Sequence, residues 1–388
     1  MNRFHTQQFP AGLALGLFSC FVLSGALATA AAPPLRVEPQ IAAGAEHSIF
    51  LRSDGIIWIW GQNKDGQLGD NTEASKAVPS AITSLEGWAQ VAAGGKHVVA
   101  LNANGMLWAW GDNASGQLGD GTREKRLKPR LIGADFTWTK LSPGAAYTTA
   151  LKREGTLWAW GNNGWNQLGD GTKLDRVRPQ QIGLDRDWAD VAAGSESTLA
   201  LKKNGTLWAW GGNFYGQLGD GTTQGRLAPA RVGLNTNWTA LAAGGSHSLA
   251  LRRDGTLWGW GNNEFGQVGD GALANRLQPR RLSTETNWVA IAAGENHSLA
   301  VKRDGSLWAW GANSAGQLGL GTTEKQQLTP ARVGTDENWK GVAGGGTHSV
   351  ALKKNGTVWA WGRNRAGQTG GDIGGSKRVP TLVVITAE

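Results

Sequence analysis

Apolar and polar positions alternate along most of this chain in runs of five or six residues, and each run stops at a glycine-containing turn. Residues 238–282 show the unit. Trp238-Thr239-Ala240-Leu241-Ala242-Ala243 closes at Gly244-Gly245, and His247-Ser248-Leu249-Ala250-Leu251 stops at Arg252-Arg253-Asp254-Gly255. Thr256-Leu257-Trp258-Gly259-Trp260 then stops at Gly261. A period of two places successive side chains on opposite faces of a strand, and Asp-Gly between two such runs is a hairpin signal. After a Gly- and Asn-rich loop, Asn262 to Gly271, Pro279-Arg280-Arg281-Leu282 offers a fourth short run. Its proline has no N–H to donate, which predicts an edge strand or a strand start. No helical period interrupts the unit, so it predicts four short strands.

The unit recurs seven times. Trp-Gly steps stand at Trp60-Gly61, Trp110-Gly111, Trp160-Gly161, Trp210-Gly211, Trp260-Gly261, Trp310-Gly311 and Trp361-Gly362. Five intervals are fifty residues long and the last is fifty-one. Self-similarity at such a period marks a repeat architecture. Seven four-stranded units predict an all-β fold, a single seven-bladed β-propeller of antiparallel blades closed by its terminal strands. The repeats fall near 40–83, 88–133, 138–183, 188–233, 238–282, 288–334 and 339–386, within one propeller over 33–388. The last run, Pro380 to Ile385, is expected to join the sheet of the first repeat.

Length alone would suggest two or three domains, but no compositional break separates the copies. The 21 tryptophans lie almost entirely inside the repeat, so they are first of all core material. The formal charge of +8 is spread evenly and contains no run of five Lys or Arg. It therefore reads as a solvated basic surface, and no nucleic-acid partner is expected.

The first thirty-two residues break the pattern. Arg3 sits in a polar start, an apolar stretch runs from Ala11 to Leu27, and Ala28-Thr29-Ala30-Ala31-Ala32 precedes Pro33-Pro34. That layout predicts a secretory signal peptide over 1–32 and a secreted or periplasmic protein. Cys20, the only cysteine, lies within it, so the mature chain is expected to lack thiol chemistry. No other stretch is long and apolar enough to span a membrane.

Repeated residues that could carry chemistry have plainer structural readings. His47, His97, His247, His297 and His348 recur at one position, where repeats three and four carry Tyr147 and Ser197. Converging imidazoles could bind a metal, but zinc needs its ligands about 2 Å from one atom, and symmetric positions on separate blades stand too far apart. A hydrogen bond within each blade is expected instead. Gly-Asp-Gly-Thr, as at Gly119 to Thr122, offers one carboxylate per loop, and calcium needs six to eight oxygens. A turn in which Asp caps local N–H groups is expected. Lys76, Arg126, Arg176, Arg226, Arg276 and Lys377 stand three residues before the strand proline and are expected to pair within or between blades. No nucleophile elbow, His-Glu-x-x-His or phosphate-binding loop appears. The sequence therefore points to no catalytic set, cofactor or metal.

With these residues in view, the repeat resembles that of the regulator-of-chromosome-condensation family. The resemblance rests on Ala-Ala-Gly-x-x-His-Ser-Leu-Ala-Leu, Asp-Gly-Thr-Leu-Trp-Ala-Trp-Gly and Asn-x-x-Gly-Gln-Leu-Gly-Asp-Gly-Thr, and it covers the whole predicted mature chain. It implies a seven-bladed propeller that binds other macromolecules, without implying one function. Members of that family serve as exchange factors for small GTPases, chromatin binders, a plant ultraviolet photoreceptor and secreted inhibitors. The exchange factor carries an inserted wedge, and the regular spacing here leaves no room for one. The photoreceptor carries tryptophan at the turn before the second run. Here that turn holds pairs such as Ala45-Glu46 and Ser195-Glu196, with no Trp.

Binding positions should break the repeat. The two residues between loop Asn and Gly vary most, and aromatics fall there only in repeats three to five, at Trp165, Phe214, Tyr215 and Phe265. With Tyr147 they are expected to form a contiguous patch for another protein. On the opposite face, the hairpin turns carry Lys152-Arg153, Lys202-Lys203, Arg252-Arg253, Lys302-Arg303 and Lys353-Lys354, a candidate basic ring for an acidic partner. The leading expectation is a monomeric, exported, non-enzymatic protein-binding propeller. The alternatives are an exported regulator or exchange factor of a small GTPase, and a propeller enzyme acting on a polymer.

Overall fold

The computed structural model describes residues 37–83, 85 and 87–386. Seven four-stranded antiparallel sheets follow one another, over residues 40–81, 88–131, 138–181, 188–231, 238–281, 288–332 and 339–382, numbered here as blades 1 to 7. Strands run in chain order across each sheet. The small residues that end each first strand ring a central channel, from Ala43 and Gly44 round to Gly345 and Gly346. First strands are therefore innermost. The proline-bearing fourth strands, such as Arg276–Arg281, are the outer edges, where a missing N–H breaks no ladder. The predicted signal peptide lies outside the described residues. Among those residues no helix is long and apolar enough to cross a membrane.

A continuous series of backbone hydrogen bonds encircles the channel. Ala45 N–H donates to Gly95 O at 3.0 Å and Gly95 N–H to Gly144 O at 3.1 Å. The series continues through Ala145, Ser195, Gly245 and Glu295 to Gly346, whose N–H returns to Gly44 O at 3.3 Å. This packing explains the small residues. A Cβ on Gly294 would stand 2.2 Å from His297 Cε1 and 2.6 Å from Gly345 O.

The apolar core consists of seven clusters, and each joins two neighbouring blades. One combines Leu249, Leu251 and Leu257 of blade 5 with Trp288, Ala300 and Trp310 of blade 6. Period-two alternation makes this possible. Both faces of the middle strands are buried, each against a different neighbour.

The ring closes between blades 7 and 1, but not by the strand exchange expected from sequence. The last strand, Gly374–Leu382, pairs with Val358–Asn364 of its own repeat. Blade 1 already holds its own outer strand, Lys76–Ala81, so it has no vacancy to fill. The terminal residues contribute by packing instead. Val383 and Ile385 join Phe50, Trp58 and Trp60 of blade 1 in the closing cluster.

Candidate functional site

The recurring histidines are seam residues. His297 Nε2 of blade 6 lies 2.8 Å from Ser349 Oγ of blade 7, and Ser349 Oγ donates back to Gln317 O of blade 6 at 2.7 Å. Trp361 Nε1 donates to the same carbonyl at 2.8 Å. A hydroxyl has one proton. Since that proton goes to the carbonyl, the imidazole must donate from Nε2, which leaves Nδ1 as a bare acceptor. The pattern holds for His97–Thr148 at 3.0 Å, His247–Ser298 at 2.8 Å and His348–Ser48 at 2.9 Å. The bond expected within a blade therefore runs between blades. The hydroxyl partner stands 51 or 52 residues ahead, or 300 behind where the ring closes, and cannot be assigned from one repeat. Burial lowers the pKa of His47, His97, His247 and His297 to about 3 and that of His348 to about 4. No cluster among the described residues gathers three or more metal-ligating side chains.

One seam lacks its hydroxyl. Position 98 is Val98, and fully buried His47 has no hydrogen-bond partner at either ring nitrogen among the described residues. Val98→Thr would place a hydroxyl between His47 and Gln67 O. We expect it to raise stability by about 1 kcal/mol, the net worth of a satisfied buried hydrogen bond. Urea unfolding midpoints check this, and an unchanged or lower midpoint would refute it.

The other repeated polar groups serve the scaffold. Asp170 Oδ1 accepts from Thr172 N and Oγ1 and from Asn163 Nδ2, while Oδ2 pairs with Arg176 at 2.6 Å. Lys76, Arg126, Arg226 and Arg276 meet the matching Asp in their own blades. Blade 6 has lost both members together, with Leu320 and Gln327 in their places. In blade 7, Lys377 donates to the Gly370 carbonyl at 2.6 Å.

The basic doublets divide in two. Lys152, Lys202, Arg252, Lys302 and Lys353 sit over pairs of tryptophans. Lys302 Nζ, for example, lies 3.5 Å from the Trp308 centroid and 4.7 Å from that of Trp288, and 2.7 Å from Glu285. These cations are clamped against aromatic faces and are not free for a partner. Arg153, Lys203, Arg253, Arg303 and Lys354 are exposed.

The aromatic sector also divides. Trp165, Phe214 and Tyr215 are 43%, 54% and 41% exposed. Trp165 and Phe214 meet edge to face across the seam of blades 3 and 4, with centroids 5.0 Å apart. Phe265 is half-buried. Tyr147 does not belong to the patch. It is fully buried, and its hydroxyl lies 2.7 Å from Ser197 O and 2.9 Å from Thr198 Oγ1 of the next blade. It fills the histidine's place in the seam.

Comparison with known proteins bears on this architecture. A family model described as the RCC1-like domain matches residues 24–287. The chain belongs to the RCC1-like family. Models of the RCC1 repeat, the regulator of chromosome condensation, match 304–352, and 288–317 with 339–368. Among solved structures, Prp20p from Saccharomyces cerevisiae, described with its binding to Gsp1p and histones, has a TM-score of 0.76. It is 27% identical, and the match covers 86% of each chain. Human WBSCR16, at a TM-score of 0.75 and 22% identity over 85% of this chain and 94% of its own, shares the fold. Matches to curated relatives span about one repeat. Human "Probable E3 ubiquitin-protein ligase HERC4" is 50% identical over 46 residues, 12% of this chain and 4% of that protein. The "Ultraviolet-B receptor UVR8" of Arabidopsis thaliana is 41% identical over 56 residues, 14% of this chain and 12% of its own. The chain thus covers only a small part of these relatives' length.

Within this RCC1-like ring, blade 4 departs from the repeat in a further way, which sequence reading missed. In four blades the loop glutamine donates to the side chain five residues before it: Gln67 to Gln62, Gln117 to Asp112, Gln167 to Asn162 and Gln267 to Asn262. Blade 4 has Gly212 at that position. Gln217 Oε1 still accepts from Tyr215 N at 2.9 Å, but Gln217 Nε2 is buried without a partner among the described residues. Glu196 leans toward the space so left, with Oε2 3.5 Å from where a Cβ on residue 212 would stand. Burial raises the Glu196 pKa above the usual carboxylate value.

Proposed function

We propose that this chain is an exported protein-binding propeller whose docking surface is the Trp165, Phe214 and Tyr215 sector at the seam of blades 3 and 4. The observation that carries this reading is the exposed edge-to-face pair of Trp165 and Phe214. The Trp-Gly tryptophans of the repeat are wholly buried, so exposed rings at the most variable loop positions answer no need of the scaffold. Large aromatic side chains that bring rigid apolar area to a loop tip are common anchors of protein interfaces. Export rests on the polar start, apolar run and Ala-rich stretch of residues 1–32. N-terminal sequencing of protein recovered outside the cytoplasm tests it, with Pro33 or a close neighbour as the expected first residue.

Binding is tested by capture from secreted and periplasmic extract with wild type and with Trp165→Ala/Phe214→Ala. Loss of two hot-spot side chains is expected to weaken the partner's retention by 100-fold or more, at about 2 kcal/mol each. Equal retention of every partner would overturn the assignment of the patch. A second reading, regulation of a small GTPase, is favoured by the likeness to Prp20p. Accelerated nucleotide release from a GTPase would support it, and such acceleration surviving the aromatic double variant would place that activity elsewhere on the ring.

A further inference from the structure

The Glu196 notch adds a chemical identity to the proposed partner, and this step rests on the docking reading above. Gly211 of blade 4 packs against Gln167 of blade 3, since a Cβ there would stand 3.3 Å from Gln167 Cα and 2.5 Å from Glu196 O. The loop bearing Trp165 and the turn bearing Glu196 therefore meet at one seam. Gly212 opens a gap between them, and its boundaries carry two polar groups without partners among the described residues. One is the half-buried Glu196 carboxylate. The other is Gln217 Nε2, on a side chain 1% exposed, whose counterparts in blades 1, 2, 3 and 5 donate to the side chain that Gly212 lacks.

The surrounding charge has one sign. The inner turns and variable loops of blades 3 to 6, residues 144–146, 162–166, 194–196, 212–216, 244–246, 262–266, 294–296 and 312–316, hold Glu196, Glu264 and Glu295 and no Lys or Arg. The far side of the same face carries Lys64, Lys96, Arg363 and Arg365. An anion would meet Glu196 and is disfavoured. A neutral apolar group would leave the Glu196 carboxylate unpaired in a desolvated contact, at a cost to binding.

We propose that the notch receives an arginine side chain from an extended segment of the partner protein. The guanidinium donates to Glu196 and lies against the rings of Trp165, Phe214 and Tyr215. Arginine fits better than lysine because its planar cation donates to a carboxylate in pairs and stacks on aromatic faces. Gly212 is then a specificity residue, since any side chain there closes the gap.

The test is selection from a phage-displayed random dodecapeptide library on the immobilised chain, followed by affinity measurement of the selected peptides. Wild type is expected to enrich arginine at one register. Those peptides should weaken about 10-fold or more against Glu196→Gln, against Gly212→Asn and against Trp165→Ala/Phe214→Ala, and on replacement of their arginine by citrulline. Peptides that require Trp165 and Phe214 but carry no basic residue, or bind Glu196→Gln as tightly as wild type, would overturn the arginine assignment and leave the docking surface standing. Peptides indifferent to the aromatic double variant, or no enrichment at all, would overturn the docking reading as well. Unchanged thermal midpoints of the three variants, whose sites lie on surface loops, separate lost contacts from lost folding.

Discussion

Acidification from pH 7 to about 5.5 is expected to remove about 6 kcal/mol of folding stability, because five seam histidines are buried as neutral imidazoles. Four of them donate from Nε2, so a second proton would have to enter at Nδ1, which has no hydrogen-bond partner among the described residues, and His47 has no partner there at either nitrogen. Burial accordingly holds their folded pKa values at about 3 to 4, against 6.5 for an ordinary histidine. Between these values the unfolded chain binds protons that the folded chain does not, so stability rises with pH and is lost as pH falls below 6.5. Each histidine contributes about 1.3 kcal/mol of that loss by pH 5.5. The combined loss is comparable to the whole stability of a typical domain, about 5–15 kcal/mol. The ring should therefore unfold cooperatively before carboxylates protonate near pH 4. Urea midpoints measured from pH 7.5 to 5 check this, with a limiting uptake of about five protons on unfolding. A flat profile across that window would mean that the imidazoles are not held neutral inside the seams.

Trp310→Ala is the most damaging single substitution expected away from the backbone, with a loss of about 3–5 kcal/mol. The side chain is fully buried between blades 5 and 6, and its Nε1 donates to Gln267 O at 3.0 Å. The cavity would open where Leu249, Leu251 and Leu257 face Trp288 and Ala300. These residues lie on strands held by their own ladders and cannot collapse inward without breaking the hydrogen bonds around the channel. Trp308 offers the contrast. It is partly exposed, meets Trp288 edge to face at 5.7 Å and is covered by Lys302. Trp308→Ala should cost only about 1–2 kcal/mol, the worth of an aromatic pair and a partly solvated cation–π contact. Denaturant unfolding of both variants checks the difference, and equal losses would contradict the seam account.

The blade count and the four-strand unit were legible because the period, the Asp-Gly hairpins and the edge prolines are local features. That the basic residue before each strand proline pairs within the scaffold was legible too, because it recurs at a fixed place, but the Asp it meets was read only as a cap for its own turn. What lay between repeats was not. The serine or threonine after each histidine signalled a seam, with Val98 as its exception, but alternation along one strand names a face and not the neighbour beyond it. Tyr147 seemed to belong with the exposed aromatics. Its occupation of the histidine position was the sign that it points inward. The first member of each basic doublet ends a strand and stays in the stack, where two tryptophans of the same blade claim it. Gly212 looked like one glycine among 59. Its meaning appeared only once Gln217 was seen to lack the acceptor that Gln67, Gln117, Gln167 and Gln267 have.

An open stack of repeats frays from its ends, since terminal units have one neighbour. This ring has no such units. Its order of opening is therefore set by the chemistry of the seams and not by position along the chain. The covalently interrupted junction between blades 7 and 1 holds the complete set: His348, Ser48, and the Gln368 carbonyl that accepts from Ser48 and Trp60. The junction between blades 1 and 2, where the polypeptide runs on without a break, holds the unpaired His47. A weak link of this molecule thus lies where the chain is continuous, and the two ends of the propeller are fastened by one of its better joints.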